Sequence, residues 1–183
     1  SPSGKLPFSF PVRLEDCGAH SFGEICYPGD SITEKYLDDI LVGYRWHDTK
    51  KIAPKYSFGH GLSYTDFKYG KAEASAKEMT ADGNIKINVP VTNIGDRKGK
   101  ETVQLYIGDD KASVMRPVKE LKGFEKIALA PGETKNVTFT ITPDDLKYYD
   151  ETLKEWKAEP GKFTVYIGSS STDIRCKIPF TLK

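Results

Sequence analysis

The chain has 183 residues, of which 38% are hydrophobic, 29% charged and 11% aromatic. That is apolar material for one domain with a real core, or for one domain and a piece of another, and it excludes a disordered chain. A net charge of +1 with interspersed signs excludes an electrostatic footprint for nucleic acid or an anionic membrane, and no apolar run reaches the ~18 residues of a membrane span.

The opening SPSGKLPFSFP lacks the charged and apolar regions of a signal peptide, so the chain reads as if cut from something longer. Leu6, Phe8 and Phe10 share one parity, as in a short strand, but nothing nearby offers that strand a sheet. In CGAHSFGEIC, the residues Cys17, His20 and Cys26 lack a fourth ligand at structural zinc spacing, so no metal site is expected. Further on, Ser31 and Glu34 form a capping-box pattern, while ILVGYRW is a β-favouring run; the expectation is a strand over residues 40 to 46. The stretch KYSFGHGLSYTDFKYG packs five aromatics and three glycines into residues 55–70, a density that suits a binding loop, a linker or a seam between folded pieces.

From residue 72 onward the pattern is regular. Ile85, Ile87, Val89 and Val91 alternate with polar residues, and so do Val103, Leu105 and Ile107; Val137, Phe139 and Ile141; Phe163, Val165 and Ile167; and Ile178, Phe180 and Leu182. Asp82-Gly83, Gly95-Asp96, Pro131-Gly132 and Pro160-Gly161 supply the reversals between them. About seven short strands with no long amphipathic helix predict an antiparallel β-sandwich. Pro90 and Pro179 belong at edges or bulges, and the parity shift around Gly123 predicts a bulge. Cys176 shares parity with Ile178 and Phe180 and reads as an inert core thiol.

The remaining polar and aromatic candidates carry little chemistry. Adjacent carboxylates at Asp38-Asp39, Asp109-Asp110 and Asp144-Asp145 point apart on a strand or into solvent in a turn. Asn136 in NVT matches a glycosylation acceptor but falls in a strand. Tyr148, Tyr149 and Trp156 would hold a sugar chain only if several were coplanar and exposed.

The order PSGKLPFSFP, YPGD, YLDDILVGYRWHDTKKIAPKYSFGHGLSYTDFKYG and RPVKELKGFEKIALAPGETKNVTFTITPDDLKYYD resembles the C-terminal end of family 3 glycoside hydrolases, the β-glucosidase and β-xylosidase group. The resemblance covers nearly the whole chain. It implies a parent with a barrel carrying a nucleophilic aspartate, an α/β sandwich domain carrying an acid/base glutamate, and a fibronectin type III-like domain. By it, residues 1–45 are the tail of the α/β sandwich domain, 46–61 a linker, and 62–183 the fibronectin-like domain. The implied fold is all-β, an immunoglobulin-like antiparallel sandwich with an extended N-terminal segment left from an α/β domain. The resemblance also implies packing of Tyr148 and Trp156 at the base of a hairpin. Tyr56, Phe58, Gly59, Gly61, Leu62, Tyr64 and Phe67 then become the seam, with glycines letting the backbone turn closely and aromatics burying it between domains.

Retaining glycosidases need two carboxyl groups roughly 5 to 5.5 Å apart. The family's Ser-Asp-Trp nucleophile motif and its Lys-His substrate motif are both absent here. Its acid/base glutamate lies upstream of PSGKLP, so Glu15 and Glu24 do not correspond to it. No catalytic, cofactor-binding or metal-binding residue is expected. The resemblance implies a non-catalytic structural module whose partners are the barrel and α/β sandwich domains of the parent. The alternative is an independent carbohydrate-binding or adhesion module with an oligosaccharide partner. A secreted or periplasmic parent would permit a Cys17–Cys26 disulfide, with two unpaired thiols as the equal alternative.

Overall fold

In a computed structural model describing residues 1–183, the alternating runs form eleven strands. They are β1 Phe67–Tyr69, β2 Glu73–Ala74, β3 Glu78–Met79, β4 Ile85–Asn93, β5 Gly99–Asp109, β6 Glu120–Leu129, β7 Thr134–Ile141, β8 Tyr148–Asp150, β9 Glu155–Lys157, β10 Gly161–Gly168 and β11 Ile174–Leu182. In the first sheet β4 is flanked by β7 on one side and by β1 and β2 on the other. The second sheet runs β3-β11-β10-β5-β6. All pairings are antiparallel except the short one between β3 and β11. A separate ribbon, β8–β9, stands outside both sheets.

Inward-facing residues of the two sheets meet in one core. Ile87, Val89, Leu105, Ile107, Ile141, Val165, Ile167 and Phe180 are buried in it, as the alternation requires, and Phe139 is half-buried against it. Both prolines sit where the ladder is open. β1 ends at the Tyr69–Val91 pair and β2 resumes at Glu73–Asn88, so Pro90 faces the gap between them. Pro179 lies on β11 opposite Thr164, beyond the reach of β3, which pairs only with Thr181 and Leu182. The bulge is real: Leu105 pairs with Gly123 but Tyr106 with Leu121. Cys176 is half-buried, its thiol 3.4 Å from the Gly70 carbonyl.

The first 66 residues have no sheet of their own and carry two short helices, α1 Gly18–Ser21 and α2 Tyr44–Lys50. The strand expected over residues 40 to 46 does not form. Helix α2 begins at Tyr44 because its side chains find partners on the sandwich, a tertiary preference that outweighs the β tendency of the run. The Ser31–Glu34 pattern caps no helix either. Asp30 instead accepts from the Ile32 and Thr33 amides and closes a turn. The strand-like stretch around Leu6 to Phe10 is not orphaned: residues 56–60 are its partner. Leu6 N–H donates to the His60 carbonyl at 2.9 Å, Gly59 N–H to Leu6 at 2.8 Å and Phe10 N–H to Tyr56 at 2.8 Å.

Candidate functional site: a seam over the outer face of the second sheet

Strand β5 is buried on both faces. Val103, Leu105 and Ile107 point into the core, while Gln104, Tyr106 and Gly108 point outward and are buried as well. Their cover is the N-terminal segment. Tyr44 of α2 stacks on Phe58 with centroids 4.8 Å apart and meets Tyr106 edge-on at 5.7 Å. The Tyr44 hydroxyl accepts from the Leu121 amide at 2.7 Å. Burial, with Tyr44 and Asp48 beside it, pushes the Tyr106 hydroxyl far above the ordinary tyrosine range, so it serves as a neutral donor to Gln104.

Gly59 is the closest approach. It sits at φ +79°, and a Cβ there would lie 2.2 Å from Gln104 Oε1. The Gln104 amide donates to the Gly59 carbonyl at 3.2 Å and to the Ser169 carbonyl at 2.7 Å, tying the seam to the β10–β11 loop. Ser171 N–H completes the tie by donating to the Phe58 carbonyl at 2.9 Å. Gly61 is similarly constrained, since a Cβ would fall 2.4 Å from the Gly4 carbonyl oxygen.

Charged groups fix the two ends. At one end Lys119 meets Asp48 at 2.6 Å, with both side chains nearly buried; burial raises the Asp48 pKa while Lys119 opposes the shift. Glu120 receives Arg45 of α2 at 3.5 Å and Arg116 at 3.1 Å. At the other end a cleft of about 250 Å³ is lined by Lys5, Leu62, Phe67, Tyr69, Glu101 and Arg175, among others. Its charges are largely paired with each other: Glu101 accepts from Lys5 at 3.3 Å and from the Tyr69 hydroxyl at 2.9 Å, and Arg175 bonds Asp173 at 2.7 Å. Asn93 then locks the stretch leading into β1 to the sandwich, accepting from the Thr65 hydroxyl at 2.6 Å and donating to the Leu129 carbonyl at 3.1 Å.

A fibronectin type III-like domain model matches residues 101–171, the heart of this sandwich. Over 180 residues the chain is 58% identical to a β-glucosidase of Bacteroides ovatus, covering 98% of this chain and 24% of that protein. The chain corresponds to the C-terminal region of a family 3 glycoside hydrolase. A thermostable β-glucosidase of Acetivibrio thermocellus is 46% identical over 97% of this chain and 23% of its own length. The crystal structure of the Bifidobacterium adolescentis GH3 β-glucosidase superimposes with a TM-score of 0.90 at 36% identity, covering 99% of this chain and 26% of that one. The chain thus spans about a quarter of the length of the curated relatives it matches.

The seam residues named from sequence divide into two groups. Phe58, Gly59, Gly61 and Phe67 are covered within this chain, whereas Leu62 is 74% exposed and Tyr64 is 70% exposed. Those two side chains are left largely in solvent by this chain. Tyr56 is half-exposed, edge-on to Phe10 at 6.1 Å. Cys17 and Cys26 are free thiols, so the disulfide alternative is not realised. No three His, Cys, Asp or Glu side chains gather as metal ligands. No helix is long and apolar enough to cross a membrane. At the β8–β9 ribbon Tyr148 packs as expected, but Trp156 turns outward, and its ring meets that of Tyr149 at 69° rather than coplanar.

Sequence reasoning missed Gln104, Tyr106, Asn93 and the Asp48–Lys119 pair. One signal was present: a tyrosine and a glutamine on the outward parity of ETVQLYIG mark a strand whose second face is covered.

Proposed function

We propose that this region is a non-catalytic structural module of a β-glucosidase-like enzyme acting on terminal β-linked sugars, packed against and stabilising its catalytic domains. Residues 1–45 are then the end of an α/β sandwich domain, 46–61 the linker and 62–183 the fibronectin-like domain, with helix α2 straddling the first boundary. The observation that carries this reading is the two-sided character of the N-terminal segment. Its inner side is fitted to β5, while its outer side leaves Phe8, Phe10, Val12, Leu14 and Tyr56 between 43% and 61% exposed. Phe8 and Phe10 touch, with centroids at 4.8 Å, and Phe10 meets Tyr56 edge-on at 6.1 Å, so these three rings form one cluster. Contiguous apolar surface of this kind is rare on a free-standing soluble domain and marks an interface. The relatives, four times longer, have the additional chain to cover it.

The test is a graft. This chain replaces the matched quarter of the Bacteroides ovatus β-glucosidase, and the hybrid is compared with the same enzyme lacking that quarter. The hybrid should be soluble and should hydrolyse an aryl β-glucoside; Phe8→Ser with Phe10→Ser should lower its melting temperature while leaving the isolated chain's own melting unchanged. The isolated chain should turn over neither an aryl β-glucoside nor an aryl β-xyloside. A hybrid no more stable than the truncated enzyme would overturn the reading.

A further inference from the structure

Between β5 and β6 runs a loop, residues 110–119, that is held almost entirely by other elements. From Lys111 to Lys119 its backbone makes no hydrogen bond to another backbone group. Val114, Met115 and Val118 are between 43% and 48% exposed, so burial adds little to hold it. Its anchors are side chains, and they come from two elements distant in sequence. One is the β8–β9 ribbon. The Ser113 amide donates to Glu159 at 3.1 Å and its hydroxyl donates to the same carboxylate, which also accepts from the Tyr148 hydroxyl at 3.0 Å. Arg116 lies over the Tyr148 ring at 5.7 Å and donates to the Leu146 carbonyl at 3.0 Å. The other element is helix α2. The Val118 amide donates to the Thr49 hydroxyl oxygen at 3.1 Å, and Lys119 meets Asp48 at 2.6 Å.

A single residue, the buried Pro117, separates the two grips, and its ring fixes φ between Arg116 and Val118. Glu120 joins them a second time, receiving Arg116 at 3.1 Å and Arg45 of α2 at 3.5 Å. The Arg116 side chain is 8% exposed and faces Asp109 at 3.5 Å, so moving it off Tyr148 leaves a buried carboxylate without its cation.

We propose that this loop is a strap coupling helix α2 to the β8–β9 ribbon, so that the two elements seat and release together. With α2 in place, Thr49 and Asp48 fix Val118 and Lys119, Pro117 passes the constraint to Arg116, and Arg116 holds Tyr148 down. With α2 lifted, no backbone bond retains the loop and Lys119 loses its carboxylate, so the contact of Arg116 with Tyr148 loses its backing. Such coupling is reciprocal: drawing the ribbon outward loosens α2 by the same factor, and with α2 the N-terminal segment. The strap lies wholly within this chain and is independent of what covers the outer side of that segment, so the graft and the strap fail separately.

The two tryptophans of the chain fall one on each coupled element: Trp46 on α2, its indole donating to the Asp16 carbonyl at 2.9 Å, and Trp156 on β9. Hydrogen exchange followed by ¹H–¹⁵N spectra therefore reads both. Tyr44→Ala removes the stacking of α2 on Phe58 and Tyr106 without deleting any hydrogen-bond partner of the strap. It should lower protection of the Trp46 indole and, about tenfold, of the amides in residues 148–157, a usual size for coupled sites. The Trp156 indole signal should shift, and the β4 amides should keep their protection. Glu159→Ala, at the other grip, should lower Trp46 protection by a similar factor. Thr49→Val preserves the shape of α2 but not the acceptor for Val118, and should move the ribbon in the same direction as Tyr44→Ala. Pro117→Gly softens the joint, and in that background the ribbon should answer Tyr44→Ala with only a minor part of the full response. A ribbon unmoved by both Tyr44→Ala and Thr49→Val would overturn the proposal. So would an equal loss of protection in β4, which means a loss of stability throughout the sandwich, or an undiminished response in Pro117→Gly.

Discussion

Alanine at Gly59 perturbs the seam at its tightest point, and two other glycines provide the scale. The backbone cost of an alanine at φ +79° is about 1–2 kcal/mol. The added methyl would also displace the Gln104 amide from 2.2 Å, breaking its bonds to the Gly59 and Ser169 carbonyls at about 1 kcal/mol each. The sum is about 3–4 kcal/mol, and it falls on docking of the N-terminal segment rather than on the sandwich, whose core is separate. Gly132 shares the strained conformation, at φ +73°, but has nothing within 4 Å of its Cβ position; Gly132→Ala should cost only the backbone part. Gly161 has neither strain nor neighbour, so Gly161→Ala should be close to neutral. Limited proteolysis reads the difference. Gly59→Ala should raise cleavage N-terminal to residue 60 by roughly a few hundredfold, since each 1.4 kcal/mol is tenfold in the open population, while Gly132→Ala leaves it unchanged. Adding Gln104→Ala should return part of the loss by removing the clash. Equal effects of Gly59→Ala and Gly132→Ala on cleavage would refute a seam built on contact with Gln104.

Lys119→Met should loosen helix α2 by about 3 kcal/mol because it strands the Asp48 carboxylate, and adding Asp48→Leu should restore most of it; hydrogen exchange across residues 44–50 measures both. Hydrogen bonds from Ser113 hold Glu159 below its ordinary value of 4.5, so its contribution is present above that pH and lost as pH falls through the lower folded value. Protection factors in residues 110–119, which correct for the intrinsic pH dependence of amide exchange, should accordingly fall as pH drops below 4.5, and Ser113→Ala should flatten that dependence. Asn93→Ala, which leaves Thr65 and the Leu129 carbonyl without their partner, should lower global stability by about 2–3 kcal/mol in urea denaturation.

The long strands were legible because their instruction is local: every second residue from Ile85 to Asn93 is buried, and the parity break at Gly123 is the bulge itself. Helix α2 was not legible, because nothing in Tyr44 to Lys50 favours a helix over a strand until Tyr44 meets Phe58 and Asp48 meets Lys119. The seam was legible as a stretch but not in its sides. Gly59 and Phe58 face inward and Leu62 and Tyr64 outward, and which way each points depends on where Gly4 and Gln104 lie, many residues away in sequence. The ribbon misled for a simpler reason. A Tyr-Tyr pair followed by a tryptophan fixes that one face is aromatic, but not which face the anchoring Glu159 and Arg116 will pull inward.

The double burial of β5 also sets an order of events during synthesis. Phe58 leaves the ribosome 113 residues before Ser171, the donor that ties it down, and well before Gln104 and Tyr106, the surface it covers. At typical elongation rates the interval to Ser171 is roughly ten seconds. Throughout it Tyr44 and Phe58 have no template from this sandwich, so on a growing chain their burial waits for residues translated after them. Slowing elongation within residues 99–171 therefore prolongs the nascent chain's exposure to aggregation, and a chaperone engaging residues 1–60 acts in that window.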